Sequence, residues 1–84
     1  MTKIDKLINK FLNKPKDLTY EELIQIMKFY GYVEIATGKT SGSRKKFKNK
    51  DNDIIMFHKP HPKNIIKSYI IDEIIEKLER NGLI

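Results

Sequence analysis

The sequence predicts an α+β domain, in which two helices, three short strands and a final helix follow one another. Three observations carry this. Two stretches before residue 31 repeat their apolar residues at helical spacing, the residues from Tyr32 turn β-branched and aromatic, and helical spacing returns after a loop with two prolines. A chain of 84 residues has length for one hydrophobic core and little beyond it.

The first helix is read from Ile4, Leu7, Ile8, Phe11 and Leu12, with Thr2 available as N-cap. Asn13 to Asp17, with Pro15 inside, ends it. The second starts at Thr19, where Thr19-x-x-Glu22 is a capping box; Leu23, Ile24, Met27 and Tyr30 form its apolar face, and Gly31 stops it.

Tyr32 to Thr37 is the first strand, and Gly38 to Ser43 a loop. Arg44 to Asn49 and Ile54 to His58 are the second and third strands around the turn Lys50–Asp53, so an antiparallel meander is the simplest sheet. Pro60 and Pro62 rule out regular helix or central strand from Lys59 to Asn64. The last helix is capped by Ser68, carries Asp72 and Glu73 in its first turn, buries Ile71, Ile74, Ile75 and Leu78, and ends at Asn81-Gly82.

Seventeen Lys and Arg against eleven Asp and Glu give a net charge of +6, which calls for a polyanionic partner: nucleic acid, an acidic membrane face or an acidic protein. With no cysteine, disulfides and thiolate metal sites are excluded, and a reducing compartment fits. Charges interrupt the first dozen residues, so they form neither a signal peptide nor a membrane span. The expected location is the cytoplasm.

The basic residues crowd the strands and loops. On the second strand Arg44, Lys46 and Lys48 share one face, while Lys45 and the core residue Phe47 share the other. Such a row suits phosphates, and equally suits a solvated strand protected against edge aggregation. The Gly38–Ser43 loop has backbone N–H groups and hydroxyls for a phosphate but lacks the length and lysine of a nucleotide-binding P-loop, and reads as readily as a hairpin connection. His58 and His61 are the only residues of the type whose unperturbed pKa suits proton transfer near neutrality. No third or fourth metal ligand lies near them in sequence, so no metal and no cofactor is expected. Beside Lys59, Lys63 and Arg44, a histidine suits RNA cleavage by attack of a 2′-hydroxyl; by itself it suits a surface loop.

From Asp17 to Ile84 the chain resembles the HicA family of toxins, and the span of this resemblance divides it into an N-terminal helical extension, residues 1–16, and a domain over residues 17–84. The resemblance rests on the capped helix ending in Phe29-Tyr30-Gly31-Tyr32, the Gly42-Ser43 turn opening a basic second strand, the histidine-containing loop, and the final helix closing in Asn81-Gly82-Leu83. It implies a fold like double-stranded-RNA-binding domains, ribonuclease action on messenger RNA, and neutralisation by a HicB-like antitoxin. Where the family carries Gly-Ser-His, with the histidine taken as catalytic, this chain has Gly42-Ser43-Arg44. Gly42 and Ser43 are carried over as loop residues and His61 as the candidate general base; Arg44, Lys46, Lys48, Lys59 and Lys63 join them as candidate RNA-binding residues. Three functions stay open: a metal-independent ribonuclease toxin, a module of the same fold that binds RNA or antitoxin without turnover, or a partner-only adaptor whose sheet face and N-terminal helix meet an acidic protein surface without nucleic acid.

Overall fold

The computed structural model describes residues 2–35, 44–60 and 63–84. Its element order is α1 (Lys3–Leu12), α2 (Tyr20–Phe29), β1 (Val33–Ile35), β2 (Arg44–Lys48), β3 (Ile54–His58) and α3 (Ser68–Arg80). The strands form one antiparallel sheet in the order β1-β2-β3, the meander expected from the sequence.

Both N-terminal helices start on reciprocal caps. In α2 the Thr19 hydroxyl accepts from the Glu22 N–H (3.2 Å) while the Glu22 carboxylate accepts from the Thr19 N–H (2.9 Å). Thr2 and Asp5 repeat the arrangement in α1. Each closure satisfies backbone donors that the first turn leaves without a partner. Helices α2 and α3 end alike. Gly31 (φ +87°) and Gly82 (φ +72°) take the left-handed conformation, and the next residue's N–H returns to a carbonyl in the last turn: Tyr32 to Met27 (2.9 Å) and Leu83 to Leu78 (2.9 Å).

α3 departs from the expectation at its start. Lys67, not Ser68, is the N-cap, it makes no side-chain cap, and the first turn holds no acidic residue. The preceding chain dictates this. Ile66 is buried and its N–H bonds to the Leu18 carbonyl (2.8 Å), with Thr19 and Ile65 bridged beside it, so the chain turns into the helix immediately after Ile66. Asp72 and Glu73 therefore fall just past the first turn instead of in it. β1 is also shorter than Tyr32–Thr37 at its start, because Tyr32 precedes the ladder and is fully buried; residues 36 and 37 lie outside the described residues.

The core gathers Leu23, Ile26 and Met27 of α2, Phe47, Ile55 and Phe57 of the sheet, and Ile70, Ile71, Ile74, Ile75 and Leu78 of α3. Phe47 and Phe57 stack at 5.4 Å between ring centroids. α1 joins this core through Phe11, which is fully buried, and is tied down by Lys10 to Glu22 (3.3 Å) and Lys14 to Asp72 (3.3 Å).

Candidate functional site

β2 places its side chains by the period of two, and one hydrogen bond fixes the phase. The Asn49 N–H donates to the Asp53 carbonyl (3.1 Å) at the turn. Bonded and non-bonded pairs alternate along an antiparallel ladder, so Phe47 opposite Ile55 and Lys45 opposite Phe57 exchange backbone bonds. Lys48 opposite Ile54, Lys46 opposite Met56 and Arg44 opposite His58 do not, and such pairs bring side chains closest, at about 4.5 Å between Cα atoms. These last three pairs share the face turned away from the helices, together with Val33 and Ile35 of β1. Met56 and His58 are exposed there, whereas Phe47, Ile55 and Phe57 are buried under the helices.

Arg44, Lys46 and Lys48 therefore form one row on the open face, as expected, with His58 beside Arg44 at one end. Lys59 and Lys63 lie elsewhere. The Lys59 ammonium sits over the Tyr20 ring at the start of α2 (5.2 Å to the centroid), and Tyr20 meets Phe57 edge-on. Lys63 precedes Asn64, whose carbonyl accepts from the Tyr20 N–H (3.2 Å) and whose amide donates to Glu21. The candidates thus divide between the open face and the N-terminal flank of α2. Gly42, Ser43 and His61 lie outside the described residues.

Charge pairing separates the two faces. Lys45, on the helix side, meets Glu34 at 3.6 Å, and Lys77 meets Asp53 at 3.4 Å. Among the described residues, Arg44, Lys46, Lys48, Lys59 and Lys63 make no ion pair with a carboxylate. Cations left without a partner keep their full attraction for an external anion.

A polar cluster that the sequence did not announce lies at the opposite end of the sheet. The Tyr32 hydroxyl donates to Asp53 (2.5 Å), the Asn81 amide donates to Asp53 (2.9 Å) and to Tyr32 (3.2 Å), and Lys77 completes the set. Burial first, and then the hydrogen bond to Asp53, push the Tyr32 phenol up to about 12. Partial burial works against ionisation of Asp53, but the bonds from Tyr32 and Asn81 and the charge of Lys77 outweigh it and hold the carboxyl below its usual range. With every member bonded inside the cluster, it fastens β1, the β2–β3 turn and the end of α3 together. Its members stand far apart in sequence and belong to no spacing motif, so the chain offered only Asn81-Gly82 as a helix end.

A single antiparallel sheet, covered by helices on one side and carrying on the other cations with no carboxylate partner among the described residues, defines a small basic α+β domain. Residues 20–82 match the family model of the HicA toxin of bacterial toxin–antitoxin systems, and the chain belongs to that family. Membership implies a cognate antitoxin as protein partner. No curated protein and no solved structure matches the chain. α1 lies outside the family match, and no helix among the described residues is long and apolar enough to cross a membrane.

Proposed function

We propose that this toxin binds messenger RNA and cleaves it without a metal. Arg44, Lys46, Lys48, Lys59 and Lys63, with the Gly42-Ser43 loop, hold the phosphates. His61 takes the proton of a 2′-hydroxyl, whose oxygen attacks the adjacent phosphorus and forms a 2′,3′-cyclic phosphate as the bond to the 5′-oxygen of the next nucleotide breaks. That oxygen leaves with a proton from water, and Arg44 offsets the negative charge that accumulates on the non-bridging phosphoryl oxygens. The observation that carries the reading is the sorting of charge on β2: Lys45 is paired with Glu34 while its neighbours Arg44 and Lys46 have no carboxylate among the described residues. Cytoplasmic messenger RNA is the substrate this reading requires.

The test is expression with and without the antitoxin, followed by incubation of the purified protein with RNA in the presence of a chelator. Growth arrest relieved by the antitoxin, and cleavage insensitive to the chelator, are expected. His61→Ala should lower the cleavage rate by about 10²–10⁴-fold with little change in RNA affinity. A second assignment rests on Arg44 and His58 being cross-strand neighbours; retained cleavage in His61→Ala and its loss in His58→Ala would transfer the role. An unmodified protein that binds RNA but never cuts it would make the chain a binding module, with Arg44 in the place of the family histidine.

A further inference from the structure

β3 ends the sheet, and its outer edge has no strand beside it among the described residues. The ladder phase set by Asn49 and Asp53 points the backbone groups of Ile55 and Phe57 toward β2 and those of Ile54, Met56 and His58 outward. The Lys77 ammonium donates to the Ile54 carbonyl from that outer side, which agrees with the phase and leaves Met56 and His58 as the open part of the edge. Between this edge and α3 runs a cleft of about 250 Å³ over Ile54, Met56, Ile70 and Ile74, which Glu73, Lys77 and Arg80 also line. Met56 is 49% exposed. Arg80 makes no ion pair among the described residues.

We infer that the β3 edge receives an extended strand of the cognate antitoxin, one that alternates acidic and apolar side chains. The antitoxin as partner rests on the toxin–antitoxin assignment; the place and the chemistry rest on the edge itself. A strand added beside β3 continues the pleat, so alternate side chains fall on the two faces of the sheet. Those on the helix side enter the cleft above Ile70 and Ile74, which calls for apolar residues. Those on the open face stand two strand spacings, about 10 Å, from the row of Arg44, Lys46 and Lys48. That is slightly beyond the roughly 8 Å screening length of physiological salt, but the long Arg and Lys side chains shorten the gap between the charges, which calls for carboxylates. A second copy of this chain fits poorly, since each copy carries +6 and would bring its own cationic row to the seam.

Backbone recognition permits a specific test. Proline at an outward position removes one edge N–H while leaving the inner ladder intact, so Met56→Pro should raise the Kd for the antitoxin by at least tenfold, whereas Met56→Thr should change it less than threefold. Arg80→Glu, on an exposed helix surface, should also weaken the complex, and serves should the proline variant fail to fold. In the complex, the amides of Ile54, Met56 and His58 should exchange with deuterium at least tenfold more slowly than in the free toxin. Unchanged exchange at those amides, or antitoxin affinity within twofold of the unmodified protein for both Met56→Pro and Arg80→Glu, overturns the inference. Concentration-dependent protection in the toxin alone overturns it in favour of self-pairing. RNA cleavage by the free protein is measured separately, so a failed ribonuclease reading leaves this outcome intact.

Discussion

Phe47 and Lys46 are neighbours on one five-residue strand, yet they belong to different surfaces. Phe47 is under the helices against Phe57, and the ion pairs recorded for the helix side, Lys45 with Glu34 and Lys77 with Asp53, close charges on themselves. Lys46, one residue away, shares the open face with Arg44 and Lys48, none of them paired with a carboxylate among the described residues. The pleat alone separates the two surfaces. A strand of this kind builds the core with every second residue and leaves the others free to meet a ligand, and the placement of carboxylates decides which cations are used up internally.

The largest effect on the core side should come from Phe47→Ala, which removes a buried ring from a stack and should cost about 3–5 kcal/mol in denaturant unfolding. A loss below about 1 kcal/mol would mean that Phe47 is not held under the helices. On the open face, Lys46→Glu or Lys48→Glu should leave stability within about 0.5 kcal/mol while weakening RNA binding alike for all sequences, and Lys46→Ala should reduce the slope of log affinity against log salt by roughly one. Binding that ignores these changes would remove the open face from the RNA interface.

Asn81→Ala, at the polar cluster, should destabilise by about 1–3 kcal/mol because Asp53 loses a donor, with RNA affinity unaffected. The same cluster gives opposite signs at the two ends of the pH scale. The Asp53 carboxyl is depressed in the folded protein, so its contribution is present above its unfolded value, near 4, and is lost as pH falls through the lower folded value. The Tyr32 phenol is raised, so its contribution is complete below about 10 and is lost as pH rises toward about 12. Thermal unfolding across pH should show both limbs, and Tyr32→Phe should flatten the alkaline one. The smallest effect is Thr19→Ala, about 1 kcal/mol from the lost cap of α2.

Elements whose signals are local were legible in the sequence. The Thr19–Glu22 box, the glycines that end α2 and α3, and the alternation of β2 each need only a few consecutive residues, and each stands where the sequence placed it. Resemblance added the family, which no periodicity carries. What escaped depends on contacts between distant segments. The tether of Ile66 to Leu18 moved the start of α3 off Ser68, the burial of Tyr32 took it out of β1, and Tyr32, Asp53 and Asn81 meet only after the sheet and α3 have assembled. The candidate RNA residues were partly legible for the same reason: period two placed Arg44, Lys46 and Lys48 together, but could not reveal that Lys59 leaves their face to lie over Tyr20.

The bridge between Thr19 and Ile65 bears on how the molecule assembles. α1 against α2, and β1 to β2 to β3, are contacts between segments that follow one another along the chain, and such neighbours form quickly. The strap from Leu18 and Thr19 to Ile65 and Ile66 closes the loop that contains α2 and the whole sheet, and closing it costs entropy before α3 can return burial energy. Folding should therefore be limited by this one closure. Substitutions at Leu18 or Ile66 should slow refolding in proportion to the stability they remove, while those in α1 should chiefly hasten unfolding.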